Sequence, residues 1–335
     1  MDSEDEMDLF GDIDDIFVLS ADSIYIADDM PMHVRQVNAS GKVVNVYGSR
    51  GLAPEELSSM STFTVNSDGS LVVSDYRSRR FKVFSSSGDL DATHAFDNVG
   101  FPRRIRQIDS GEYVILVGRS GRPVEESRPL FAHVDREFSV ISKFGMTRHM
   151  QVDTTGFVAN FMDYNPGYFD VHQSSLVYVP PVFEGRIYYF EYDGSRWSKA
   201  RFVETSSFLS DPIAVYDPDD RPTDALLIRT VVEGDYAAKI LSRAIGVLFT
   251  SDKTIALFYI LDSESDEGEF VIRMEEYSVD GELLSSARFR ENGAGRLSSV
   301  QSQIEVGAYH DGLFYLIDSH LYPRVRAMAP SYQKP

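Results

Sequence analysis

The sequence predicts an all-β fold, a six-bladed β-propeller of four-stranded antiparallel blades that forms a single domain over residues 1–335. Three observations lead to this prediction. One pair of strands recurs along the chain, further short apolar runs flank each pair, and the repeat length of roughly 45 to 50 residues is typical of a propeller blade. A chain of 335 residues with 43% hydrophobic residues is long enough to bury the core of such a fold.

The clearest copy of the repeat covers residues 70–88, SLVVSDYRSRRFKVFSSSG. An apolar run ends at Asp75, a polar turn follows, and Arg80 opens a second strand in which polar and apolar residues alternate up to the turn at Gly88. The same interval between the first residue of the second strand and a glycine recurs at His33 and Gly41, Arg186 and Gly194, and Arg273 and Gly281.

Two weaker copies fill the gaps, at residues 113–117 with 130–135 and at residues 313–318 with 324–328. Each copy follows another apolar run, at residues 17–19, 63–65, 105–108, 168–171, 245–249 and 304–308. Most copies are also followed by an apolar run, at residues 43–47, 92–96, 140–144, 197–203 and 283–289. Each unit therefore has four predicted strands, except the last, which lacks its fourth.

The N-terminus offers a spare strand for the last blade. We expect residues 1–6 to form an acidic tail and residues 7–15 to form a closing strand that completes the ring and leaves no open sheet edge. Residues 205–240 are too long for a simple connection, and we interpret them as an insertion or as a degenerate seventh blade.

Residues 75–88, with the strand RFKVF, resemble the NHL repeat, and the connection at residues 48–57 is similar to the segment that joins NHL blades. The whole chain resembles six-bladed β-propeller proteins that are common in Bacteroidetes and related bacteria. The resemblance implies the fold and an extracytoplasmic location, as a periplasmic protein or a surface lipoprotein with its leader removed, rather than a cytoplasmic one. It implies no particular activity, because propellers host binding, lyase and hydrolase functions alike.

Composition excludes several classes of function. A net charge of −20 and a pI near 4.7 argue against nucleic-acid binding, which needs a basic surface. The absence of cysteine excludes disulfides, thiolate zinc sites and a cysteine nucleophile. No apolar run is long enough to span a membrane, and the start MDSEDEMDLF is not a signal peptide. We expect a monomer.

A locally basic surface is the main candidate site. Residues 71–150 contain thirteen Lys and Arg against ten Asp and Glu, a net charge of +3, which leaves −23 for the remainder. Guanidinium groups bind carboxylates and sulfates in a bidentate manner, and aromatic faces bind sugars and peptides. The ligand-binding candidates, all in predicted loops or beside them, are Arg77, Arg79, Arg103, Arg104, Arg119, Arg122, Tyr76 and Tyr322. The alternative is that these arginines pair with neighbouring acids such as Asp97.

Catalytic and metal-binding motifs are not recognisable. Asp28, Asp75 and Asp318 recur at one repeat position, which favours capping of each residue's own turn over metal binding. The strands predicted to line the central channel carry Asn66, Asp170 and Glu305 as possible metal ligands, but these residues do not form a recognisable ligand set. No two histidines have the spacing of metal ligands. The sequence therefore predicts no cofactor, no metal and no catalytic residue.

Three hypotheses on function remain open at this point. The first is a non-catalytic propeller that binds a glycan or peptide, and we favour it over an enzyme. The second is a metal-dependent enzyme of the lyase or lactonase type. The third is a structural module for protein interaction that docks a protein partner through residues 205–240.

Overall fold

The computed structural model describes residues 10–118, 129–146, 166–198, 200–207, 209, 212–216, 237–264, 269–292, 304–318 and 323–331. These residues form β-strands and one short 3₁₀ helix, Asp262–Glu264. In this part of the chain no helix has the length and apolarity needed to cross a membrane. The chain divides into two compact units, and we describe each by itself.

The first unit, from residues 1–118, 129–144 and 303–329, contains four antiparallel sheets. Within each sheet the strands follow one another in chain order, so every connection is a hairpin. The first sheet consists of β1 (Ile13–Ser20), β2 (Ser23–Asp28), β3 (His33–Val37) and β4 (Val43–Tyr47). The second consists of β5 (Met60–Val65), β6 (Leu71–Asp75), β7 (Arg80–Phe84) and β8 (Leu90–Ala95). The third consists of β9 (Phe101–Gln107), β10 (Tyr113–Gly118), β11 (Pro129–Val134) and β12 (Val140–Met146).

The second unit, from residues 119–128, 145–302 and 330–335, contains the middle of the chain. One sheet consists of β13 (Tyr168–His172), β14 (Ser175–Val179), β15 (Arg186–Glu191) and β16 (Arg201–Glu204). A two-stranded sheet follows, with β17 (Ile213–Tyr216) and β18 (Ala237–Ile240). The last sheet of this unit consists of β19 (Ser242–Ser251), β20 (Thr254–Leu261), β21 (Glu269–Ser278) and β22 (Leu283–Asn292). The last sheet in chain order belongs to the first unit as its fourth sheet. It consists of β23 (Ile304–His310), β24 (Leu313–Asp318) and β25 (Arg324–Met328).

The cores of the first unit lie between successive sheets. Phe63 and Val65 of β5 are buried against Tyr25 and Val34 of the first sheet. Equivalent clusters join the second sheet to the third and the last sheet to the first. The first strands of the four sheets, which we call the inner strands, contact one another in the order β23, β1, β5 and β9. Because both faces of a sheet are buried in this arrangement, its central strands are nearly continuous apolar runs.

The prediction of an all-β fold with four-stranded antiparallel blades is confirmed. The recurrence of the repeat glycine has a physical reason. In all four copies this glycine adopts a positive φ, which other residues rarely tolerate. These angles are 80° at Gly41, 98° at Gly88, 91° at Gly194 and 98° at Gly281. In each copy this glycine turns the chain from the third strand of the sheet to the fourth.

The assignment at the N-terminus needs a partial correction, whereas that of residues 205–240 stays a prediction. Residues 13–15, which we assigned to a closing strand, begin β1 and belong to the first sheet. Phe10 packs against the core shared by the first and last sheets, and residues 7–9 lie outside the described part of the chain. Ring closure by the N-terminus therefore stays a prediction. The described residues of 205–240 include two paired strands, whereas the strand-like residues 225–232 lie outside the described part.

The repeat aspartates are structural, but their partners differ from those expected. The carboxylate of Asp75 accepts hydrogen bonds from the backbone N–H groups of Ser58 and Ser59, at 3.3 and 3.0 Å, and lies 3.5 Å from Nζ of Lys82. Asp28 similarly accepts from the N–H groups that precede β1 and pairs with Arg35 at 3.5 Å. The carboxylates of Asp28 and Asp75 therefore cap the segments that lead into the inner strands of their sheets. The hydroxyl of Ser78, in the turn after β6, also donates to the backbone carbonyl of Asp75, at 3.2 Å. Asp318 pairs with Arg324 at 2.7 Å.

Asp75 is buried, and it is charged at neutral pH. Burial alone would raise the pKa of this carboxyl, but hydrogen bonds from the Ser58 and Ser78 side chains and from the backbone of residues 58 and 59 outweigh it. The pKa of Asp75 is therefore lowered from its ordinary value.

The variant Asp75→Asn is expected to lose about 3 to 5 kcal/mol of unfolding free energy, because it leaves the buried Lys82 ammonium without its counter-charge. Denaturant unfolding measures this loss. The double variant D75N/K82M is expected to recover part of it, and the exposed control D91N should match the parent. Equal stability of D75N and D91N would contradict the assigned role.

Ring closure by the N-terminal segment can be tested by two deletions. Removal of residues 2–9 is expected to lower the midpoint of thermal unfolding by about 3 to 6 °C, because the predicted closing strand is lost. Removal of residues 2–6 alone, the acidic tail, should leave the midpoint unchanged. Equal midpoints for both deletions would exclude a closing strand at residues 7–9.

Candidate functional site

Four of the candidate site residues, Tyr76, Arg77, Arg79 and Arg103, lie at one end of the sheets of the first unit. We call this end, at which β2 and β6 finish and β1, β5 and β9 begin, the loop face. Tyr76, Arg77 and Arg79 belong to the turn from β6 to β7, and Arg103 lies near the start of β9. The turn is fixed to the neighbouring connection, since the N–H of Tyr76 donates to the carbonyl of Ser59 at 2.8 Å.

Three side chains on this face form a stack that we call the aromatic–guanidinium stack. The rings of Tyr76 and Phe101 meet nearly edge to face, with centroids 4.0 Å apart and an angle of 62°. The guanidinium carbon of Arg103 lies 4.2 Å from the centroid of Phe101. Tyr76 remains 37% exposed. The stack therefore presents an aromatic surface beside an oriented guanidinium group.

Two exposed arginines, Arg77 and Arg79, lie in the same turn as Tyr76. The guanidinium of Arg79 lies 5.9 Å from the ring of Phe96 and 4.0 Å from the carboxylate of Asp97, so the expected pairing with Asp97 is loose. Both partners are solvent-exposed, and ion pairs of this kind contribute little. Arg77 is exposed in the same turn. The charge of these arginines is therefore accessible to an anion.

Arg104 lies in a different environment from Arg103. Its Nη2 atom lies 2.5 Å from Oε2 of Glu305 on β23, and its Nη1 atom lies 3.4 Å from Oδ1 of Asp15 on β1. Nη1 of Arg106 lies 4.0 Å from the other oxygen of Asp15. Together with Asp14, these residues form what we call the inner-strand charge cluster. Because its guanidinium is already engaged by two carboxylates, Arg104 is not part of the exposed basic surface.

The inner-strand charge cluster joins strands that are not neighbours. Strand β5 lies between β1 and β9, so Arg104 extends past one inner strand to reach Asp15 and past two to reach Glu305. The three side chains are at most 13% exposed. Charged groups with so little solvent are stable only when paired, and removal of one partner is strongly destabilising.

Asp14 has an unusual proton affinity. The side chain of Asp14 is in contact with water on one side, and protein atoms surround the rest of it. The hydration that its carboxylate loses to these atoms is the main reason that its pKa rises to about 7. The neighbouring carboxylates Asp29, Asp12, Glu305 and Asp15 add to the rise in pKa, because like charges disfavour ionisation. An acid that titrates near neutral pH is a feature of functional sites as well as of structural networks.

The sequence-based candidates separate into three groups. Tyr76, Arg77, Arg79 and Arg103 share the loop face, and Arg104 belongs to the inner-strand charge cluster. The remaining three candidates lie outside the described residues: Arg119, Arg122 and Tyr322.

Sequence reasoning missed four residues of these two clusters, namely Phe101, Asp14, Asp15 and Arg106. Phe101 had no signal beyond being an aromatic residue close to Arg103. Asp14 and Asp15 were missed because residues 7–15 were assigned to a closing strand, which hid their place on an inner strand. The acidic run that starts the first apolar strand could have revealed them.

Two of the polar residues named as possible metal ligands make hydrogen bonds within their own unit. Asn66 accepts a hydrogen bond from the hydroxyl of Tyr113 at 3.1 Å, and Asp170 accepts one from the N–H of Phe249 at 2.9 Å. In the described part of the chain, no three His, Asp or Glu residues are grouped so that they could hold a metal ion.

Comparisons with known proteins agree with this architecture. The family model DUF5128, described as a 6-bladed beta-propeller, matches residues 3–216. The predicted six-bladed propeller fold is thereby confirmed. No curated protein matches the chain in sequence.

Several solved structures are similar in fold. A "Putative exported protein" from Bacteroides fragilis has a TM-score of 0.57 at 13% identity, covering 92% of this chain and 80% of its own. A member of the duf4221 family from Bacteroides vulgatus has a TM-score of 0.53 at 10% identity, covering 97% and 95%. A luciferin-regenerating enzyme has a TM-score of 0.51 at 11% identity, covering 98% and 94%. At such identities the similarity establishes the fold alone.

The raised pKa of Asp14 predicts a specific pH dependence of stability. A carboxyl group whose pKa is higher in the folded than in the unfolded protein stabilises the folded state. This stabilisation is complete below the unfolded pKa near 4, and it is lost as the pH rises through about 7. The variant Asp14→Asn should therefore unfold at a higher temperature than the parent at pH 8 and show a smaller decline between pH 5 and 8. Thermal unfolding across this range measures both effects.

The exposed variant Asp22→Asn serves as the control for Asp14→Asn, and it should reproduce the parent curve. If D14N and the parent decline in parallel between pH 5 and 8, the pKa of Asp14 is not raised.

Proposed function

We propose that this chain, which belongs to the DUF5128 family of 6-bladed beta-propellers, is a non-catalytic binding protein that recognises an anionic ligand on its loop face. The observation that carries the proposal is the aromatic–guanidinium stack of Tyr76, Phe101 and Arg103. A guanidinium held against a ring has lost part of its freedom before binding, so less entropy is lost when it contacts a carboxylate or sulfate.

The charge distribution supports an anionic ligand. On a protein of net charge −20, the loop face exposes Arg77 and Arg79 beside the stack. Of these, Arg79 makes the loose, solvated ion pair with Asp97 described above and lies 5.9 Å from the ring of Phe96. Arg77 and Arg79 therefore offer accessible positive charge to an anion, next to the exposed acids Asp12, Asp14, Glu55 and Asp97.

A second candidate function rests on Asp14. A carboxyl group with a pKa of about 7 can donate or accept a proton at neutral pH, as general acid–base catalysis requires. An enzyme of the lyase or lactonase class is therefore the alternative to a binding protein, with Asp14 as its acid or base.

Two finer features of the proposal concern origin and location. The repeat glycines at positive φ support the NHL-like type of the blades, and the two Bacteroides structures support an affinity with proteins of that phylum. The name of the Bacteroides fragilis relative supports an extracytoplasmic location, which we propose for this chain as well.

Binding can be tested with four probes: a sulfated oligosaccharide, an oligogalacturonate, a neutral cello-oligosaccharide and an acidic peptide. We expect an anionic probe to bind, and Tyr76→Ala and Arg103→Ala to weaken it by about tenfold or more, as for central contact residues. Arg103→Lys should bind at an intermediate level, because lysine keeps the charge without the planar fork. Isothermal titration calorimetry measures these affinities.

Arg136→Ala is the matched control, because Arg136 is exposed in the first unit in the turn after β11, at the opposite end from the loop face. Its affinity should equal that of the parent. Binding that survives both Y76A and R103A in folded protein would refute the proposed site. If the protein converts one of the probes chemically and D14N abolishes this conversion, the protein is an enzyme and not a non-catalytic binding protein.

A further inference from the structure

Two apolar side chains are strongly exposed on the loop face beside the proposed site. Met30, in the turn from β2 to β3, is 65% exposed, and Leu52, in the connection from β4 to β5, is 86% exposed. Single exposed apolar residues are common on protein surfaces. Here both lie on the same end of neighbouring sheets as Tyr76, which is itself partly exposed.

The backbone holds these side chains in place. The guanidinium of Arg50 donates to the carbonyl of Met30 at 2.7 Å, which ties the turn to the connection two residues before Leu52. The connection is closed by a hydrogen bond from the N–H of Gly51 to the carbonyl of Leu57, at 3.0 Å, and Leu57 is buried in the core. Met30 and Leu52 are therefore presented to solvent by a fixed backbone.

The loop face thus combines exposed apolar side chains, on a hydrogen-bonded backbone, with the accessible charge of Arg77 and Arg79. Met30 and Leu52 lie towards the first sheet, and Tyr76, Arg77 and Arg103 lie towards the second and third. A fixed apolar surface next to a charged one is typical of a protein-binding site, in which apolar contacts supply affinity and charges select the partner.

We infer that the partner on the loop face is an acidic protein segment with apolar side chains. The inference rests on the proposed function and narrows its ligand from anionic molecules in general to one class. An acidic residue of the segment pairs with Arg77, Arg79 or Arg103, while its apolar side chains cover Met30 and Leu52. Positive charge on an otherwise acidic protein supplies the complementarity for such a partner.

The apolar residues favour a protein segment over a glycan. Glycan recognition uses aromatic faces together with hydrogen-bonding groups, and an exposed methionine or leucine side chain supplies neither. A peptide segment instead alternates polar and apolar side chains, so it can contact Arg77 and Leu52 at the same time.

A display selection with the full-length protein tests this inference. A library of random dodecapeptides is selected for binding, and the strongest peptides are synthesised and measured by fluorescence polarisation. We expect them to combine Asp or Glu with Leu, Phe or Tyr, and to bind less tightly as NaCl increases, because exposed charge pairs are screened. The double variant M30S/L52S and the triple variant R77A/R79A/R103A should each weaken binding by about tenfold or more.

The double variant V44S/V46S is the matched control, since it also replaces two exposed apolar residues, both on β4 of the first sheet. It should bind as the parent does. Two outcomes would overturn this inference and leave the proposed function standing. In the first, the selected peptides need the arginines for binding but not Met30 and Leu52. In the second, oligogalacturonate or the sulfated oligosaccharide binds and no peptide does. The proposed function itself fails if no bound probe responds to Y76A or to R103A.

Discussion

In the first and second sheets, a buried carboxylate at the end of the second strand holds in position the segment that leads into the inner strand. In the second sheet, Asp75 binds the segment before β5 and pairs with Lys82, which in turn donates to the carbonyl of Glu56. In the first sheet, Asp28 binds the two N–H groups that lead into β1. The connection that presents Leu52 and the strand that carries the inner charges therefore depend on interactions that a ligand does not touch. Preorganised surfaces of this kind lose less entropy on binding.

The inner-strand charge cluster shows how environment separates neighbouring carboxylates. Asp15 and Glu305 engage Arg104, so their charges are balanced by a nearby cation with little solvent around it. Asp14, adjacent in sequence, lies among other acids, and burial together with their repulsion raises its pKa to about 7. One acid of the strand thus contributes to the ion-pair network, whereas its neighbour is able to exchange a proton near neutral pH.

The arrangement of the loop face was only partly predictable. The sequence indicated that Tyr76 and Arg103 would share a face, because both lie where predicted strands begin or end. It also grouped Arg104 with them, and it gave no sign of the register shift in β9 that leaves Arg103 between the paired residues Pro102 and Arg104. Arg103 stacks on Phe101, whereas Arg104 joins Asp15 and Glu305. The inward role of Asp15 was hidden because the start of β1 was placed too late in the chain.

The sequence by itself determined the fold class, most of the strands and the turns between them. These features depend on local periodicity and on glycines that accept a positive φ, and both can be recognised over a few residues. Only the tertiary structure decided which charges meet. The partners of Arg104 lie 89 and 201 residues away along the chain, and they meet because the inner strands of different sheets come together. No local pattern encodes such a contact, since it depends on how complete sheets pack against one another.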